Sequence, residues 1–105
     1  MGIYEVRTYD LKPRSVPDFE NGFAESLPGR MEFSPLGGLW HTEAGPLNQV
    51  VHIWAFDDEA HMAEAKAKVA QDPDWAGKYM PRVRPLIESQ KTYLMKSPDF
   101  APVPQ

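Results

Sequence analysis

Apolar and polar positions alternate with a period of two at both ends of the chain and lose that alternation in the middle. Ile3 to Leu11 sets Ile3, Glu5, Arg7 and Tyr9 against Tyr4, Val6, Thr8 and Asp10, with the β-branched and aromatic content of a strand. Leu36 to Glu43 reads as a second strand, entered through Gly37-Gly38, where glycine permits a bulge. Val50 to Phe56 is apolar on both sides: Val50, His52, Trp54 and Phe56 on one, Val51, Ile53 and Ala55 on the other. Such a strand requires cover on both faces. Leu86 to Lys96 alternates again through Ile87, Ser89, Lys91, Tyr93 and Met95 and forms a fourth strand.

Helical spacing fills the gaps. Val16, Phe19, Phe23, Ala24 and Leu27 make a stripe behind the N-cap candidate Ser15, and Pro28-Gly29 supplies a stop. Asp57-Asp58-Glu59 opens a second helix whose Ala60, Ala63, Ala67 and Ala70 form a small-residue stripe for packing on a sheet, widened by Met62 and Val69. Asp72 caps a restart with Pro73 in first position and Trp75 facing inward, running to about Val83 with a disturbance near Pro81. The tail from Ser97 holds three prolines and reads as an extended arm, so the domain occupies residues 1–97 and the arm 98–105.

The order β-α-β-β-α-β is that of the ferredoxin-like fold, α+β, with both helices on one side of a four-stranded antiparallel sheet. The other side is apolar and bare. A second copy related by a two-fold axis would cover it, which predicts a homodimer through the sheet face, a dimeric α/β barrel.

Composition narrows the function. One core is all that 105 residues sustain, since a chain of this size buries roughly 60 to 70% of its unfolded surface. A net charge of -4 with scattered basic residues argues against a nucleic-acid footprint. With no cysteine there is no disulfide and no thiolate metal site. The N-terminus opens on a charged strand and no apolar run approaches membrane-spanning length, so the expectation is a cytoplasmic protein without membrane contact.

The chemistry available is modest. Glu5, Arg7 and Tyr9 share one strand face, offering a carboxylate, a guanidinium and a phenol for a small anionic or enolic ligand, or a structural ion pair that fixes register. His52 is the candidate proton-transfer group, with Arg7 as the group that stabilises an anion. Trp40, Trp54 and Trp75 can line a pocket or fill a core. Glu43 joins His41 and His52 as a ligand candidate, but the hairpin loop leaves open whether His52 shares a face with His41 or with Trp40 and Thr42. No short histidine spacing supports a metal, His61 reads as solvent-facing, and no cofactor motif is present, so neither metal nor cofactor is expected.

The runs Ile3-Tyr4-Glu5-Val6-Arg7-Thr8-Tyr9, Gly38-Leu39-Trp40-His41-Thr42-Glu43-Ala44-Gly45-Pro46-Leu47-Asn48-Gln49-Val50-Val51-His52-Ile53-Trp54 and Asp72-Pro73-Asp74-Trp75 resemble the NIPSNAP family over nearly the whole domain. The resemblance implies a dimeric α/β barrel of ferredoxin-like subunits. It implies no settled activity. Some members carry mitochondrial leaders and associate with protein partners, and related barrels include cofactor-independent monooxygenases and haem-degrading enzymes with pockets between sheet and helices. The resulting expectation is a small-molecule-binding protein whose aromatic or carboxylate ligand meets Glu5, Arg7, Tyr9, Trp40, Glu43, His52, Trp54 and Trp75. A cofactor-independent monooxygenase or isomerase, and a non-enzymatic protein-interaction module, are the alternatives.

Overall fold

A computed structural model describes residues 2–101. The strands are β1 (Ile3–Leu11), β2 (Leu36–His41), β3 (Gln49–Phe56) and β4 (Ile87–Lys96), and the main helices are α1 (Val16–Arg30) and α2 (Glu59–Gln71). A π-helical turn (Trp75–Tyr79), the short helix α3 (Met80–Val83) and a 3-10 turn (Arg84–Leu86) lead into β4. The sheet is antiparallel in the order β2-β3-β1-β4. This is the expected α+β ferredoxin-like arrangement, with β1 bounded as its alternation predicts.

Pairing resolves the hairpin register. Leu39 lies opposite His52, Trp40 opposite Val51 and His41 opposite Val50, so His52 shares its face with His41 and not with Trp40. The loop that sets this register turns through Gly45 and Asn48, both at positive φ (116° and 58°), a conformation suited to glycine and asparagine. The register shifts between Leu36 and Gly38, placing the bulge at the glycine pair. Strand β2 stops at His41, two residues before Glu43.

The helix-covered face carries the core. Ile3, Tyr9 and Leu11 from β1 and Val50, Trp54 and Phe56 from β3 are buried against Phe19 and Phe23 of α1, with Trp75, Tyr79 and Val83 closing the far side. Gly22 lets α3 approach α1 closely: a Cβ there would meet Arg82 Cδ at 3.1 Å and Val83 Cγ1 at 3.3 Å. An ion pair between Glu25 and Arg82 crosses the same seam.

The opposite face is apolar and uncovered within the chain. Register places Tyr4, Val6, Thr8, Val51, Ile53, Ala55, Tyr93 and Met95 there, together with Trp40. The central residues are half-buried by their neighbours, whereas Trp40, Tyr93 and Met95 at the edges are about half exposed (54%, 50% and 49%).

Four local expectations are corrected. Helix α1 runs through Pro28-Gly29 to Arg30, because the last turn closes through Met31 N–H to Leu27 O and the Arg30 side chain is anchored inside. Ser15 occupies the cap position, but its hydroxyl donates to Lys12 O (2.6 Å) and not into the helix. In α2 the alanine stripe faces solvent. The inner side is Met62, Ala65 and Val69, spaced i, i+3 and i+7, since the larger Met62 and Val69 gain more from burial than alanines do. The tail does not begin as an extended arm: Ala101 N–H bonds Pro98 O (3.0 Å) in a turn, and residues 102–105 lie outside the described residues.

Phe19, fully buried, meets Tyr9, Phe23, His52 and Tyr79 at ring-centroid separations of 5.8 to 6.4 Å. Phe19→Ala is expected to lower the unfolding free energy by about 3–5 kcal/mol, read as a drop in the urea midpoint at unchanged m-value.

Candidate functional site

Odd-numbered residues of β1 and even-numbered residues of β3 point toward the helices, so Glu5 sits beside Trp54 and Arg7 beside His52. Above them α2 contributes Lys66, and the end of α1 contributes Arg30. The segment after α2 brings Trp75 and Tyr79, whose rings stack at 3.9 Å. Between these walls lies a cleft of about 380 Å³ lined by Glu5, Arg7, Tyr9, Arg30, His52, Trp54, Lys66, Trp75 and Tyr79, with Val69, Ala70, Ala76, Met80 and Arg84 completing it. That volume falls within the range of small-molecule sites.

The polar groups are held in a chain. Arg7 Nε donates to Tyr9 Oη (2.9 Å), Nη1 donates to Glu5 Oε1 (3.2 Å) and Nη2 donates to Gln90 Oε1 (3.3 Å). Lys66 pairs with the other Glu5 oxygen from across the cleft. Burial works against the charge on Arg7, but Tyr9 and Glu5 outweigh it and raise its pKa. Burial likewise raises the Tyr9 phenol, with Arg7 opposing, so Tyr9 is a neutral hydroxyl at pH 7.

His52 is 1% exposed and enclosed by the rings of Tyr9, Phe23, Trp54 and Phe19. Burial, followed by the charges of Arg7 and Arg30, pushes its pKa down to about 3. Its Nδ1 has no hydrogen-bond partner among the described residues. The imidazole is therefore neutral at pH 7, and the folded chain resists protonating it.

Arg30 is the residue that the sequence pattern did not disclose. Its side chain is 4% exposed, its guanidinium lies 3.8 Å from the Trp54 ring centre, and Nη1 donates to Ser34 Oγ (2.8 Å) and Ser34 O (3.4 Å). Phe23 stacks on the same indole at 5.7 Å and 17°. Burial lowers the Arg30 pKa to about 10, with Glu5 opposing and Arg7 adding, which leaves it charged at neutral pH. The signal was present: the buried set Phe19, Phe23, Ser26 and Arg30 keeps helical spacing past Pro28.

Of the candidate residues the cleft gathers Glu5, Arg7, Tyr9, His52, Trp54 and Trp75 and leaves out two others. Trp40 lies on the bare face, because its register partner is Val51. Glu43 falls beyond the end of β2, where its 88% exposed side chain meets His41 (3.1 Å). His41 also bonds Glu20 (2.7 Å), which with Glu43 raises its pKa. His61 is tied in and does not face solvent freely: Nδ1 accepts from Asp57 N–H (2.9 Å) and Nε2 lies 3.0 Å from Phe33 O. No cluster of metal-ligating side chains occurs among the described residues.

Fold and cleft together define a ferredoxin-like domain with a ligand-sized space between sheet and helices. The NIPSNAP family model matches residues 4–102, and the chain belongs to that family. Human Protein NipSnap homolog 3A is 35% identical over 97 residues, 89% of this chain and 39% of that protein. The Dictyostelium discoideum Protein NipSnap homolog is 32% identical over 77 residues, 70% of this chain and 33% of its own length. This chain therefore spans less than half the length of these curated relatives. Among solved structures, a NIPSNAP family protein with unknown function from Agrobacterium tumefaciens is similar at a TM-score of 0.89 and 34% identity, covering 97% of this chain and 93% of that one. A proposed antibiotic biosynthesis monooxygenase from Nitrosomonas europaea shares the fold alone, with a TM-score of 0.74 at 9% identity and coverage of 96% and 94%.

Because His52 binds a proton near pH 6.5 when unfolded but only near pH 3 when folded, the unfolded chain holds the extra proton between these values. Its contribution to stability is complete above pH 6.5 and is lost as pH falls toward 3. Wild type is expected to lose on the order of 2 kcal/mol more than His52→Gln between pH 7 and 4.5, measured by urea unfolding at both values.

Proposed function

We propose that this domain binds a small organic molecule in the cleft between its sheet and helices and does so as a homodimer. The observation that carries the reading is the cavity beside Arg7, with a cationic and phenolic wall on one side and the Trp54, Trp75 and Tyr79 rings on the other. A structural ion pair needs no adjoining space. Here Glu5, Arg7 and Tyr9 line one large enough to accept a ligand, and Arg7 remains one-quarter exposed to it.

Binding is favoured over proton transfer at His52. A general base is most effective when its pKa lies near the working pH, and an imidazole depressed to about 3 is a feeble proton acceptor. The isomerase or monooxygenase alternative therefore draws on likeness of fold more than on this site.

The bare face supports the second half of the proposal. Its half-exposed Trp40, Tyr93 and Met95 flank a centre of Val6, Val51 and Ile53, and another copy of the same surface would match it in shape and apolarity. Pairing there leaves the cleft, on the opposite face, unobstructed.

Sedimentation equilibrium at micromolar concentration is expected to give a dimer for wild type and a monomer for Ile53→Glu; a monomeric wild type would overturn the dimer. For the cleft, native mass spectrometry and a metabolite thermal-shift screen should yield ligands whose stabilisation disappears in Arg7→Met. Ligands that stabilise Arg7→Met as well as wild type would place binding elsewhere.

A further inference from the structure

The chemical class of that ligand is written in Arg30. Of its nitrogens, Nη1 is committed to Ser34, while Nε and Nη2 enter no hydrogen bond among the described residues. The only sealed side-chain nitrogen or oxygen lacking a partner among those residues is Nδ1 of His52. The free Nε–Nη2 edge is consequently not sealed. It belongs to a side chain that is 4% exposed and lines the cavity, so its contact is with the cleft.

Nε and Nη2 present parallel N–H groups on one side of the guanidinium plane, spaced for the two oxygens of a carboxylate. Lysine would offer a point charge there and no fork. The plane is immobilised before any ligand arrives, by Trp54 beneath it and Ser34 at Nη1, and a receptor ordered in advance loses little entropy on binding. No acidic side chain among the described residues forms a salt bridge with Arg30, whereas Glu5 is already shared by Arg7 and Lys66. The cleft thus carries Arg7, Arg30, Lys66 and Arg84 against the single carboxylate of Glu5, within a chain whose net charge is -4. The Trp75 ring lies 5.9 Å from the Arg30 guanidinium, and Tyr79, Met80 and Val69 add to the apolar lining.

We propose that Arg30 is the specificity-determining anchor of the cleft and that the ligand is an aromatic carboxylate, its two oxygens on Nε and Nη2 and its ring against Trp75 and Tyr79. This inference rests on the small-molecule reading above and narrows it to one chemistry.

2-Naphthoate and 2-naphthamide, which match in shape and differ in charge, test it by titration into 15N-labelled protein. Expected are saturable shifts at cleft residues with naphthoate, affinity at least tenfold lower for the amide, and a loss of roughly tenfold in Arg30→Lys, which removes the fork. Equal affinity for acid and amide at the cleft would overturn the carboxylate assignment and leave the cleft as a binding site. Undiminished naphthoate binding by a folded Arg30→Lys would overturn Arg30 as the anchor. Cleft resonances unmoved by either compound, in a well-dispersed spectrum, would reject this inference, and failure of the metabolite screen as well would remove the broader reading. Should Arg30→Lys not fold, the comparison of acid with amide on wild type decides.

Discussion

A guanidinium taken out of bulk water must be compensated, and Arg30 is compensated by an indole face and a serine instead of a carboxylate. Its charge survives because arginine begins so far above neutrality that burial, even with Arg7 nearby, brings it only to about 10. A lysine starts lower and gives up its proton more readily under comparable burial. The stack on Trp54 is worth more in this dry setting than it would be on the surface. It also joins α1, which ends at Arg30, to the central strand that carries Trp54, so the same contact shapes the cleft and locks the helix onto the sheet.

Around that contact the cleft divides by polarity. Glu5, Arg7, Tyr9 and Lys66 form a bonded wall along β1 and α2, while Trp75 and Tyr79 form an apolar wall after α2. His52 lies beneath both, neutral and with no partner for Nδ1 among the described residues. Placing a neutral imidazole among several cations limits repulsion in the core.

What the sequence disclosed follows from how local each signal is. Strand β1 is legible because β-branched and aromatic residue preference holds along its nine positions. Glu5, Arg7 and Tyr9 then share a face by geometry alone, and the cleft gathers them as two-residue periodicity requires. Signals that depend on competition between effects are not legible locally. Pro28-Gly29 is a stop by propensity, but the anchoring of Arg30 inside the fold outweighs it. The alanines of α2 form a regular stripe, yet Met62 and Val69 claim the interior because they have more surface to bury. Trp40 and Glu43 could not be placed without the register of the β2–β3 hairpin, and that depends on two left-handed residues in its loop.

The widened turn at Trp75–Tyr79 has a consequence for how this scaffold can vary. A π-turn accommodates one residue more than regular α-helical winding does, and each residue of helix rotates the chain by about 100°. Deleting one residue within the turn would return it to regular α-helical winding, disturbing the Trp75–Tyr79 stack while the helix beyond it and the sheet kept their places. The lining of the cleft can therefore be altered by changes in length as well as in identity, at a place where the framework tolerates them.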